Sequence, residues 1–121
     1  MNARKIRKIG VIGAGTMGSG IAQVFALYGY QVTLVDIDET VLKAALGRIK
    51  EHTRPDEWDK VSGMIAATTD MAGVKDADLV VEAVLEDMAV KKKVFKALSG
   101  ICRKDAIIVT NTSALSVNEL S

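Results

Sequence analysis

Apolar residues are arranged along this chain in two ways, as short unbroken runs and as longer stretches spaced like one face of a helix. Lys8–Ile12 (KIGVI) is an apolar run bounded by charge, which predicts a strand buried on both faces. Gln31–Val35 predicts a second strand, and residues 64–68, 77–83 and 106–110 predict three more. Within 16–28, Met17, Ile21, Val24, Phe25 and Tyr28 recur at helical spacing, and Gly29 stands where a glycine ends a helix. Residues 39–52 repeat apolar positions at Val41, Leu42, Ala45, Leu46 and Ile49, predicting a second helix. Met88–Ile101 sets Val90, Val94, Phe95 and Leu98 on one face among lysines, an amphipathic third helix. The polar stretch 53–63 holds the only proline, Pro55, and predicts a loop with one helical turn around Trp58. Ser116-Val117-Asn118-Glu119 has the form of a capping box opening a further helix.

Strands and helices thus alternate as β-α-β-α-β-β-α-β, which implies an α/β fold: a doubly wound, mostly parallel sheet in a single domain over residues 1–121. Between the first strand and the first helix lies Gly13-Ala14-Gly15-Thr16-Met17-Gly18. A glycine turn of this spacing is weak evidence alone. Following a strand, opening a helix and answered by an acid at the end of the next strand, it is the dinucleotide-binding arrangement of a Rossmann sheet. Gly13 permits the tight turn, Gly15 lets backbone approach a pyrophosphate, and Gly18 lets helix and strand pack closely. The phosphates then meet unpaired N–H groups at the positive end of the helix dipole. Asp36, 18 residues after Gly18, is placed to accept hydrogen bonds from an adenosine ribose and to repel a 2′-phosphate. No arginine occupies positions 37 or 38, so the expected cofactor is NAD rather than NADP. Asp38 is expected to be a solvated acid at the strand end.

Composition changes little in this picture. The formal net charge of +1 offers no field for nucleic acid or an acidic membrane surface. The basic residues Arg4, Lys5, Arg7 and Lys8 followed by an uncharged stretch imitate a signal peptide or membrane span. However, six glycines between Gly10 and Gly29 place a turn in the middle of that stretch. One cysteine, Cys102, excludes an internal disulfide and suits a reducing compartment such as the cytoplasm. Cys102 is expected to be a small core residue and His52, the only histidine, a surface one.

The segments KIGVIGAGTMGSGIAQVFALYGYQVTLVDID (8–38), TTD (68–70), ADLVVEAVLEDMAVKKKVF (77–95) and AIIVTNTSALSVNEL (106–120) together cover most of the chain. In them it resembles the NAD-binding domain of the 3-hydroxyacyl-CoA dehydrogenases, the 3-hydroxybutyryl type in particular. The resemblance implies hydride transfer from a 3-hydroxyacyl-CoA to NAD, giving the 3-ketoacyl-CoA, in fatty-acid metabolism. It implies that Glu86 and Lys91 contact the cofactor towards its ribose and nicotinamide end. Asn111, Thr112 and Ser113 fall just past the fifth strand, at the edge where open α/β sheets bind ligands. Ser113 matches the family serine that hydrogen-bonds the substrate's 3-oxygen beside the nicotinamide.

The resemblance also sets expectations that these residues do not meet. The family's general base is a histidine held by a glutamate, both downstream of the TNTS segment. A helical C-terminal domain that completes the pocket and the dimer is expected beyond Ser121. A chain without them is expected to bind NAD and turn over little, because hydride transfer needs a base to take the hydroxyl proton. The stretch before TTD is shorter than the family's helical hairpin, which helps hold coenzyme A, although Arg48 and Lys50 are near enough in sequence to meet phosphates. The fifth strand is expected to be an uncovered edge that favours a homo-oligomer. Two other readings stay open: a hydroxy-acid dehydrogenase of the L-gulonate 3-dehydrogenase type, and a non-catalytic NAD-binding redox sensor. A retained Asn111-Thr112-Ser113 speaks against the sensor.

Overall fold

The computed structural model describes residues 6–83 and 88–110, without the side chains of Met88, Val90 and Thr110. Five strands form one all-parallel sheet in the order β3-β2-β1-β4-β5, where β1 is Lys8–Ile12, β2 Gln31–Val35, β3 Ile65–Thr68, β4 Leu79–Glu82 and β5 Ile107–Thr110. Helices α1 (Thr16–Leu27), α2 (Glu39–Glu51), α3 (Trp58–Met64) and α4 (Met88–Ile101) and a 3₁₀ turn at Met71–Val74 connect them.

The period-two alternation of the strands sends side chains into two separate cores. Ile9, Val11, Val32 and Leu34 pack with Ala22 and Ala26 of α1, Leu42, Ala45 and Ile49 of α2, and Val61 of α3. Ile12, Val35 and Val80 point the other way, onto Val74, Ala77 and Leu98 of α4. Both faces of the sheet are therefore covered at its centre, along β1, β2 and β4, which is why these strands read as continuous apolar runs, whereas Ile107 and Val109 of β5 are exposed. The strand order reverses between β1 and β4, and the crevice at their carboxyl ends is the point where such sheets take ligands.

Two expectations from the sequence are corrected here. The loop around Trp58 is a seven-residue helix, α3, held by Val61, which is fully buried. The fourth strand begins two residues later than its apolar run, at Leu79, and Asp78 at its amino end accepts from the N–H groups of Arg7 and Lys8.

Met17 and Val24 of α1 and Tyr28 at its C-cap are 58%, 51% and 78% exposed, while Ile21 and Phe25 are partly buried and pack against the core; Met17, Ile21, Val24 and Phe25 line a shallow groove. The buried residues are Gly18, Ser19, Ala22 and Ala26, so the helix lies close against the strands on its small side chains. It ends as the sequence suggests, with Gly29 at φ +90°.

Cys102 is half-buried beside the α4 core rather than within it, and burial pushes its thiol pKa up. The capping box at 116–119 lies outside the described residues.

Candidate functional site

Register builds the site. Ile12 stands opposite Val35 at the ends of β1 and β2, so the next residues of the two strands, Gly13 and Asp36, emerge side by side. Gly13 turns the chain at φ +102° and gives its N–H to the Val35 carbonyl at 2.7 Å. The Ala14 N–H is then aimed at Asp36, whose Oδ2 accepts it at 2.9 Å, while Oδ1 accepts the Asp38 N–H at 3.0 Å. Each carboxylate oxygen keeps a second lone pair with which to accept from a hydroxyl. Gly18 is where the turn meets the helix: a Cβ there would lie 1.8 Å from the Gly13 carbonyl oxygen, so only glycine allows this approach. At Gly15, by contrast, a Cβ would meet nothing of the protein within 4 Å, and this backbone faces open space.

The two helices that start at this edge begin differently. Asp38 is the N-cap of α2, accepting from the N–H groups of Thr40 and Val41, with Glu39 in the first turn. Asp38 is thus a cap rather than the merely solvated acid expected, and its place directly before an apolar helical repeat was the signal for it. Helix α1 starts at Gly15 with no side-chain cap and no acid in its first turn. Its orphan N–H groups and dipole are left available to an anion.

Behind the turn stands Arg48 of α2. Its Nη2 donates to the Ala14 carbonyl at 3.0 Å and, with Nε, reaches Ser19 Oγ at 3.4 Å; Ser19 in turn donates to the Thr16 carbonyl at 3.0 Å. Arg48 therefore grips the turn and the first turn of α1 together. Lys50 is exposed and lies over the Trp58 ring, its Nζ 5.9 Å from the centroid. His52 is exposed at the end of α2, its Nδ1 2.8 Å from the Arg48 carbonyl, on the α1–α2 side of the sheet.

Across the crevice, the end of β4 carries Glu82, which pairs with Ile12 in register. Glu82 and Lys91 of α4 form a buried ion pair, Nζ lying 2.8 Å from Oε2 and 3.0 Å from Oε1. Lys91 is consequently no solvated surface lysine. The sequence reading did not single out Glu82, and no short spacing marks the pair, because it joins a strand end to a helix nine residues on. Glu86, Asn111, Thr112 and Ser113 lie outside the described residues. Among the described residues no group of histidine, cysteine or acidic side chains is arranged to hold a metal ion, and no helix is long and apolar enough to cross a membrane.

An uncapped helix behind a glycine turn, an acid at the neighbouring strand end and a crevice at the switch of strand order are together suited to a dinucleotide. Residues 8–121 match the family described as 3-hydroxyacyl-CoA dehydrogenase, NAD binding domain. The chain belongs to this family. NAD is its cofactor. The 3-hydroxybutyryl-CoA dehydrogenase of Clostridioides difficile is 38% identical over 94% of the chain and 44% of that protein. Among solved structures, M. tuberculosis FadB2 superposes with a TM-score of 0.91 at 35% identity, over 97% of this chain and 45% of the other. The (S)-3-hydroxybutyryl-CoA dehydrogenase PaaH1 of Ralstonia eutropha gives a TM-score of 0.88 at 33% identity, over 96% and 44%. The chain thus spans less than half the length of these relatives.

Proposed function

We propose that the chain is the NAD-binding part of an oxidoreductase that converts a (S)-3-hydroxyacyl-CoA to the 3-ketoacyl-CoA, in fatty-acid metabolism. The observation that carries this reading is the Ala14–Asp36 hydrogen bond beneath the uncapped start of α1, in a chain matched to the family over residues 8–121. The backbone of Gly13, Ala14, Gly15, Thr16, Met17 and Gly18 receives the pyrophosphate, and the free lone pairs of Asp36 receive the adenosine ribose hydroxyls. Ile37, 90% exposed beside Asp36, supplies an apolar surface for the adenine. A 2′-phosphate would meet the Asp36 carboxylate, hence the preference for NAD over NADP.

Bound NAD accepts the hydride. At its nicotinamide end we place Glu86 and Asn111, with Ser113 donating to the substrate's 3-oxygen; Lys91, enclosed with Glu82, supports that end of the site rather than touching the cofactor. No described residue is assigned as the base for the hydroxyl proton; His52 stands on the α1–α2 side, away from the carboxyl ends of β4 and β5. Residues 1–121 are read as one dinucleotide-binding domain, acting in the cytoplasm and in a homo-oligomer.

Calorimetric titration with NAD tests the assignment. Asp36→Ala should weaken NAD at least about tenfold, the loss of a charge-assisted hydrogen bond, and narrow the gap to NADP. Unchanged affinity for both would remove Asp36 from the ribose site.

A further inference from the structure

We propose that Arg48 is a positioning residue for the dinucleotide phosphates, acting through the Ala14–Gly15 peptide without touching the cofactor. The inference rests on the dinucleotide reading above and names a residue which that reading does not use. The peptide between Ala14 and Gly15 is planar and trans, so its carbonyl and its N–H point in opposite directions. Arg48 Nη2 binds the carbonyl at 3.0 Å from the α2 side. Fixing the carbonyl there turns the Gly15 N–H away from α2.

The other side of Ala14 is fixed as well, since its N–H is held by Asp36 at 2.9 Å. Ala14 itself is fully buried, and its two flanking peptide planes are thus clamped by side chains from two different elements. The guanidinium fork also reaches Ser19 Oγ at 3.4 Å through both Nε and Nη2, and Ser19 is buried against the same turn. A planar fork bridging two acceptors resists rotation, whereas a lysine ammonium supplies a similar charge from a single flexible point. Arg48 therefore sets the direction of an N–H donor that the phosphates use. Its positive charge behind the turn adds to the field of the helix terminus.

The test separates phosphate binding from general integrity. The full chain and its Arg48→Met and Arg48→Lys variants are titrated with ADP and with adenosine, following backbone amide shifts by NMR. Arg48→Met is expected to weaken ADP about tenfold, the scale of one charge-assisted hydrogen bond, and to leave adenosine within about twofold. The Gly15 amide resonance should move in the ligand-free variant, and its response to ADP should shrink. Arg48→Lys should recover only part of the ADP affinity, because it keeps the charge and loses the fork. Equal weakening of ADP and adenosine would overturn the proposal in favour of a merely structural role. So would full rescue by lysine, or unchanged ADP affinity. If Arg48→Met does not fold, Arg48→Lys and Ser19→Ala carry the same ADP-against-adenosine comparison. Failure of the unaltered chain to bind ADP at all would instead sink the dinucleotide reading on which the proposal stands.

Discussion

Lys91 of α4 and Glu82 at the end of β4 hold each other, Nζ to Oε2 at 2.8 Å, with both side chains 1% exposed. An ammonium and a carboxylate so enclosed stabilise one another, because removing either takes a counter-charge away from the other in a medium that solvates it poorly. Lys91→Met should therefore destabilise the protein by about 3–5 kcal/mol, and Glu82→Leu by a similar amount. The double variant should lose clearly less than the sum of the two. A double-mutant cycle in urea checks this, and simple additivity would show that the two charges are stabilised independently.

Gly18 and Gly20 lie two residues apart in α1 and should respond oppositely to alanine. A Cβ on Gly18 would be 1.8 Å from the Gly13 oxygen and 2.9 Å from its carbonyl carbon, so Gly18→Ala has to push helix and turn apart. A loss of about 1–3 kcal/mol is expected, together with weaker NAD binding. Gly20 has nothing within 4 Å of the added methyl and sits in the helix interior. Gly20→Ala should raise stability by about 0.5–1 kcal/mol, with the thermal midpoint moving up. Destabilisation by both would mean that α1 is not where its contacts place it.

At the amino end of β4, Asp78 gathers the N–H groups of Arg7 and Lys8 at 2.9 Å each and the Arg103 guanidinium. The two backbone donors, and after them Arg103, overcome the cost of burial and lower its pKa from 3.8 to about 2. The folded state therefore holds the carboxylate more tightly than the unfolded chain does. This stabilisation is complete above about pH 4 and disappears as pH falls towards about 2. Asp78→Asn should remove that part of the acid sensitivity, seen as a flatter dependence of urea midpoint on pH between those limits. An unaltered slope would assign the acid sensitivity to other carboxylates.

Much of this architecture was written in local patterns. The apolar runs located all five strands, and Gly13, Gly18 and Asp36 announced the turn and its acid. The spacing of Met17, Ile21, Val24, Phe25 and Tyr28 announced helix α1 but not which of its faces is most buried. The readable signal for that face was the spacing of Gly18, Ala22 and Ala26 at every fourth position. Asp38 was legible as a cap from its place before a helical repeat. Arg48–Ala14 and Glu82–Lys91 were not legible, since each joins different elements through tertiary geometry, and no residue type or interval announces such a meeting. The Glu86 and Ser113 assignments fall on residues that the structure does not describe.

Asp36 serves two masters, and that limits how cofactor choice can change. The same carboxylate that disfavours a 2′-phosphate also anchors Ala14 and Asp38 through their N–H groups. Exchanging it for a small neutral residue to admit NADP would loosen the turn that receives the pyrophosphate. A successful switch of coenzyme in this fold needs a second change that takes over the anchoring of Ala14.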